Sequence, residues 1–299
     1  MLEYHIPALL NESITGLNIK PDGIYVDVTY GGGGHSKEIL NQIKSGKLIA
    51  FDQDEEALKN KIDDDRIMLI HSNYRYIKNF LKYNGIEQVD GILADLGISF
   101  HQVDELSRGF SFKSEAEIDM RMNKNAKIKA SDILNDYDEN KLSSVFKEYG
   151  ELNNAWNITQ SIIENRKAQK ILKITQLVQI LGKFAPRNAE NKFFAKVFQA
   201  LRIEVNQEME SLKEFLKASE FLLKKEGRLV VISYHSLEDR LVKNFMRSGN
   251  FEGEIEKDVF GNFKVPFNQV NKKIIVPNEM EISKNPRSRS AKMRIAEKN

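Results

Sequence analysis

The chain has 299 residues, enough for one large domain or two modest ones. Its 45 Lys and Arg against 43 Asp and Glu leave a formal charge of only +2, which excludes a uniformly basic nucleic-acid coat and requires any such site to come from local clustering. There is no cysteine, which excludes disulfides, thiolate metal sites and a cysteine nucleophile, and fits a reducing cytosol.

Met1-Leu2-Glu3-Tyr4-His5-Ile6-Pro7 carries no basic region followed by an apolar one, and no apolar run approaches membrane-spanning length. An untargeted, soluble, cytoplasmic protein is expected. Strand and helix signals then alternate. Residues 24–28 predict a strand and 36–43 a helix. Residues 47–51 predict a second strand, ending in Asp52-Gln53-Asp54, with a short helix from Glu55. Residues 67–70 predict a third strand, 74–83 a helix, and 91–94 a fourth strand followed by Asp95-Leu96-Gly97-Ile98-Ser99. Strands separated by helices of this length imply right-handed crossovers and a mainly parallel sheet, so the fold class is α/β.

From about 105 to 191 no buried strand is expected. Helical periodicity occupies 139–149, 155–166 and 175–181. A long helix is predicted over 191–225, with Phe194, Phe198, Leu201, Val205, Met209, Leu212 and Leu216 on one face and Lys224-Lys225-Glu226-Gly227 as its stop. The sheet resumes with the β-rich run 228–233, followed by His235 and a helix near 237–246. Late strands are predicted at 260–266, 272–276 and 292–296, with a basic loop at 286–290. A largely helical segment is therefore inserted into an α/β domain.

The densest signal is Asp27-Val28-Thr29-Tyr30-Gly31-Gly32-Gly33-Gly34-His35-Ser36, four glycines between the first strand and its helix. Glycine lets the chain turn sharply and lets a ligand approach the backbone. A dinucleotide loop needs G-x-G-x-x-G, and the third position here is Ser36 or Lys37, so that pattern fails in both registers. An S-adenosylmethionine loop instead has an acid ending the first strand and alternating glycines, here Asp27, Gly31 and Gly33 with Thr29 at the first glycine position. Asp52 ends the second strand about 20 residues on, where a carboxylate can accept both ribose hydroxyls. It could equally cap the helix after it. Asp95 lies at the carboxyl edge of the fourth strand, where open α/β folds place ligands, although it could be an ordinary loop carboxylate.

These residues resemble the bacterial 16S rRNA (cytosine-N4) methyltransferases, the RsmH/MraW family. His5-Ile6-Pro7-Ala8-Leu9-Leu10 is similar to the family's H-x-P-V-L-L. Asp95-Leu96-Gly97-Ile98-Ser99 with Gln102 resembles D-L-G-V-S-S-x-Q. Arg108-Gly109-Phe110-Ser111-Phe112 and Asp119-Met120-Arg121-Met122 match R-G-F-S-F and D-M-R-M. Blocks at 198–203, 232–240 and 285–290 complete a set that spans nearly the whole chain in order. Three departures stand out: Phe100-His101 replaces Ser-Pro, Gly32 stands where Arg is common, and the stretch between Gly249 and Ile282 matches no block.

The resemblance implies a class I, Rossmann-like S-adenosylmethionine methyltransferase sheet, residues 1–104 and 192–299, with an inserted mainly helical substrate-recognition domain, 105–191. It implies S-adenosylmethionine as donor and the N4 amine of a cytidine in the decoding region of small-subunit (16S) rRNA as acceptor. The cofactor contacts it carries over are Gly33, Gly34, His35, Asp52, Asp95 and Gln102, with Tyr74 at a position suited to the adenine. For the acceptor, Asp95 or the backbone carbonyls of 96–98 would take hydrogen bonds from the amine, which is a poor nucleophile because its lone pair is shared with the ring. His235 is a second candidate, against the simpler reading of a histidine that holds its loop. Arg108, Arg121, Arg202, Arg287, Arg289 and Lys292 are the RNA-binding candidates, since arginine can bind phosphate bidentately and a flipped base needs positive surroundings. Arg202 could instead tie the long helix to the sheet. Phe110 and Phe112 could stack on a base or be core. No metal spacing such as H-E-x-x-H occurs, and no metal is expected. An NAD-dependent oxidoreductase and a noncatalytic RNA-binding ribosome-assembly factor are the alternatives. Whether free rRNA or an assembled particle is used stays open, as does a homodimer.

Overall fold

Seven strands form one sheet in the order β3-β2-β1-β4-β5-β7-β6 in the computed structural model, which describes residues 7–255 and 257–299. They are β1 Ile24–Asp27, β2 Lys47–Asp52, β3 Ile67–His71, β4 Val89–Asp95, β5 Leu223–Ser233, β6 Phe267–Gln269 and β7 Lys292–Lys298. β1 to β5 are mutually parallel, while β7 runs antiparallel between β5 and β6.

Side chains alternate along a strand, so each central strand feeds two cores. Val26, Ile49, Ile92, Leu229 and Val231 face one core, which also takes Ile77, Leu212, Phe215, Leu216 and Phe245 from helices. Tyr25, Leu48, Leu93, Val230 and Ile232 face the other, with Ile14, Leu17, Ile39 and Leu40. Burial on both faces explains why these strands read as continuous β-branched runs rather than alternating ones.

The chain divides into two compact units, one made of the residues up to Gly97 together with Met209–Asn299, the other Ile98–Glu208. The expected insertion at 105–191 falls inside the second unit, which is wider at both ends. Its helices Ala130–Asp136, Glu139–Glu148, Ala155–Ala168, Ile174–Leu181 and Glu190–Asn206 enclose a separate core that includes Ile133, Leu142, Phe146, Ile158, Leu177 and Val197. Among the described residues it holds no strand, only an isolated bridge from Glu117 to Lys173.

Several expectations are corrected. The long helix is two helices, Glu190–Asn206 and Glu208–Leu222, because Gln207 adopts a left-handed conformation (φ 50°, ψ 43°) that ends the hydrogen-bond ladder. Periodicity survives this one-residue break, so the sequence shows a single stripe. The residues taken as its stop, Lys224 to Gly227, lie within β5, where the register shifts between the pairings of Val89 with Leu223 and Gly91 with Arg228. The strand expected at 260–266 is absent. The Asp258 carboxylate binds the backbone N–H of Phe260 and Asn262 into a turn, and Pro266 has no N–H to offer a ladder, so pairing starts at Phe267. Residues 272–276 contribute only a bridge from Ile275 to Met293, and Pro286–Ser290 forms a 3-10 turn. Among the described residues no helix is long and apolar enough to cross a membrane. His5 and Ile6 of the N-terminal block lie outside the described residues.

Candidate active site

β2 lies on one side of β1 and β4 on the other, so the winding direction reverses beside β1, and loops at the carboxyl ends of these strands diverge to leave a crevice. Asp27, Asp52 and Asp95 are the last residues of β1, β2 and β4. The glycine loop ties them together. Asp27 is buried, and its carboxylate accepts hydrogen bonds from Ser36 Oγ (2.7 Å) and the Thr29 N–H (3.1 Å), pinning the loop to the helix Gly34–Gln42. Burial pushes the Asp27 carboxyl above its usual range. Ser36, where a dinucleotide loop needs glycine, thus has a structural task.

Gly31 and Gly33 have φ of 51° and 77°, which L side chains rarely adopt. A Cβ on Gly31 would meet nothing within 4 Å, so the loop surface there is open. A Cβ on Gly34 would strike the Pro7 ring, a packing reason for that glycine. The Gly31 N–H donates to Asp52 Oδ2 and the Asp54 N–H to Oδ1, both at 2.8 Å. Each oxygen of a carboxylate has two acceptor directions, so one remains on each for a vicinal diol. Asp54, not Asp52, caps the turn Glu55–Asn60, accepting from the Glu56 N–H, which removes the capping alternative for Asp52. Burial, with Asp54 and Asp27 nearby, raises the Asp52 pKa to about 6. Beyond β3, the half-buried Tyr74 sets its ring edge-on to Phe215 at 5.5 Å. Asn73 Nδ2 donates to Gln53 Oε1 (2.7 Å), linking the loops after β2 and β3.

Asp95 is gripped from several elements. Its N–H donates to Thr29 Oγ1 (2.7 Å), and its Oδ1 accepts the Tyr234 hydroxyl (2.8 Å). Its Oδ2 lies 3.8 Å from His35 Nδ1. The other ring nitrogen, Nε2, is 3.2 Å from the Ala8 carbonyl, which can only accept, so Nε2 carries the proton and Nδ1 presents a lone pair. Burial lowers the His35 pKa to about 4, leaving the ring neutral at pH 7. Burial raises the Asp95 pKa to about 7; the Tyr234 hydrogen bond opposes this, and Asp27 and Glu238 add to it.

Tyr234 is the residue that sequence reasoning missed. It directly follows β5, beside Asp95, and the available signal was its place one step past the β-rich run. The histidine after it was singled out instead. His235 caps the helix Ser236–Ser248: its Nδ1 accepts the Glu238 N–H (3.4 Å) while its Nε2 lies 3.2 Å from Glu238 Oε1. The loop-holding reading of His235 therefore fits the structure. Gln102 belongs to the other unit, where it is buried and forms a capping box with Ser99.

The basic candidates separate. Arg108 is buried and donates to the carbonyls of Arg121 and Met122 at 2.9 and 3.0 Å. Arg121 clamps Asp119 through two 2.7 Å hydrogen bonds and the Ala126 carbonyl at 2.6 Å. Arg202 makes a bidentate pair with Glu208 (2.8 and 2.9 Å) across the helix break, not a tie to the sheet. These three guanidinium groups each donate to protein acceptors within their own unit. Phe110 is buried, and Phe112 stacks on Phe194 at 5.8 Å, so both serve the core of their unit. Arg287 and Arg289 are exposed. Because β7 is antiparallel, Lys292 pairs with Ser233, and the basic turn sits at the carboxyl edge where β5 ends.

A sheet that reverses beside β1, an antiparallel β7, a glycine loop after β1 and an acid ending β2 define a class I S-adenosylmethionine-dependent methyltransferase. The loop surface left open at Gly31 and the spare acceptor directions on Asp52 fit that cofactor's nucleoside. The chain belongs to the MraW methylase family, whose model matches residues 3–299. It is 56% identical to ribosomal RNA small subunit methyltransferase H of Bacteroides thetaiotaomicron over 99% of this chain and 98% of the relative. With the protein of the same name from Flavobacterium psychrophilum the identity is 57%, over 97% and 100% of the two chains. Among solved structures, an rRNA methylase from Streptococcus thermophilus aligns at TM-score 0.44 and 12% identity, covering 98% of each chain.

Proposed function

We propose that the protein methylates the N4 amine of a cytidine in the decoding region of 16S rRNA. The observation that carries this reading is Asp95: a carboxylate that ends β4 at the ligand edge, with one oxygen fixed by Tyr234. Its relatives bear the name of a small-subunit rRNA methyltransferase, and the sequence blocks at 95–102, 232–240 and 285–290 resemble the cytosine-N4 family. Asp52 would hold the ribose hydroxyls, Gly33, Gly34 and His35 the loop face of the cofactor, Tyr74 the adenine, and Asp95 a further contact. S-adenosylmethionine supplies a methyl group on a sulfonium whose sulfur keeps the bonding pair. The chain's own task is to align the acceptor nitrogen and remove its proton. Asp95 ionises near neutrality, so it can take that proton without being too weak a base. Arg287, Arg289 and Lys292 would bind RNA phosphates, and the unit Ile98–Glu208 would recognise the substrate.

The test is transfer of labelled methyl to small ribosomal subunits, followed by nucleoside analysis. N4-methylcytidine is the expected product. Label in a different nucleoside would overturn the acceptor assignment. Cofactor binding with no transfer to either subunits or free 16S rRNA would favour the noncatalytic assembly factor.

A further inference from the structure

The hydroxyl of Tyr234 lies 2.8 Å from Asp95 Oδ1, and every feature around it limits its freedom. Its N–H donates to Glu238 Oε2 at 2.9 Å, and Glu238 is itself held in the capping box that starts the helix Ser236–Ser248. Its ring runs beside Gly97, where a Cβ would approach Tyr234 Cδ2 at 3.4 Å and where φ is 99°. The groups that face Asp95 are Asp27 from the end of β1, Thr29 and His35 from the glycine loop and its helix, and Tyr234 and Glu238 from the segment after β5. His35 turns a lone pair toward Oδ2 and offers no proton to it. Asp27 and Glu238 are acids. Tyr234 supplies the hydrogen bond that favours the charged carboxylate.

We propose that Tyr234 is the positioning residue of methyl transfer: it fixes Asp95 Oδ1 and turns Oδ2 to the amine whose proton it takes. The inference rests on the amine-methylation reading above. In the balanced step the nitrogen gains the methyl, sulfur keeps the pair of the broken carbon–sulfur bond, and the proton the nitrogen sheds goes to Oδ2.

Two variants of the full chain and one modified protein separate the possibilities, assayed on small ribosomal subunits from pH 6 to 9.5 with cofactor affinity measured by titration. Tyr234→Phe keeps the ring and deletes the donor. Its turnover should fall about fivefold at pH 7, the acidic limb of its pH profile should move up by about one unit, and the rate should recover near pH 9. Cofactor affinity should change less than about twofold. Replacement of Tyr234 by 3-fluorotyrosine strengthens the donor and should move the limb down instead, an outcome independent of any loss of packing. A Tyr234→Phe profile that is unchanged, or uniformly depressed at every pH, overturns the proposal, as does a fluorotyrosine profile that does not move. Asp95→Asn tests the underlying reading separately: near-normal turnover at saturating cofactor would remove Asp95 as proton acceptor, whereas loss without recovery at high pH keeps it.

Discussion

Asp95→Asn has a second consequence, for stability, and the structure sets its size. Burial lifts the carboxyl from 3.8 to about 7, so the folded chain holds a proton that the unfolded chain releases. A raised folded pKa means stability that is full below about pH 4 and is lost as pH rises through about 7. The whole shift would correspond to about 4 kcal/mol at most. The side chain keeps 20% of its surface exposed, so solvent screening reduces the expected cost of the charge to about 1–3 kcal/mol at pH 8. Asparagine has nearly the same shape. Its carbonyl can still accept the Tyr234 hydroxyl, and its amide would face the lone pair on His35 Nδ1. The variant should therefore be more stable than the parent by about 1–3 kcal/mol at pH 8 while being catalytically poor, and the gap should close below about pH 4. Urea unfolding of both proteins without cofactor, at pH 4, 6 and 8, measures this. Asp52 titrates in both proteins and cancels in the difference, whereas Asp27, whose charge acts on Asp95, is relieved by the substitution and adds to the gap in the same direction. Equal stabilities at pH 8, or a variant less stable there than at pH 4 relative to the parent, would refute the account of Asp95 as a carboxylate held charged against its surroundings.

Two further outcomes are expected. Asp52→Asn removes the charge and turns an amide donor toward one of the two backbone N–H groups it now accepts, so S-adenosylmethionine should bind about 10- to 1000-fold more weakly by calorimetry, with little change in apo melting temperature. Arg287→Gln with Arg289→Gln should raise KM for small subunits and flatten its salt dependence while cofactor affinity stays intact; loss of both affinities together would point to a disrupted turn before β7.

The site was legible in sequence where chemistry depends on neighbours along the chain. Strand ends, the glycine run and the acids Asp27, Asp52 and Asp95 occupy fixed offsets from one another, and a strand–turn–helix unit is built from local backbone preferences. Gln207 was not legible, since a single left-handed residue barely disturbs a helical stripe. Nor was the turn at 258–262, where a side chain of Asp258 outbids a β-rich composition. The arginines show the same limit in charge. Arg108, Arg121 and Arg287 look alike in sequence, yet the first two spend their donors on carbonyls and a carboxylate inside their unit, and the third is exposed.

The amino-acid sequence by itself determined the α/β class, the cofactor loop and the acids that end β1, β2 and β4, because each follows from local periodicity and short-range spacing. Only the tertiary structure decided that Tyr234 meets Asp95. Those residues are separated by more than the whole unit Ile98–Glu208, and they come together because β5 docks parallel to β4 with Ile232 opposite Asp95. Sheet order and register are products of packing over long range, and they turned two strand ends into one hydrogen-bonded pair.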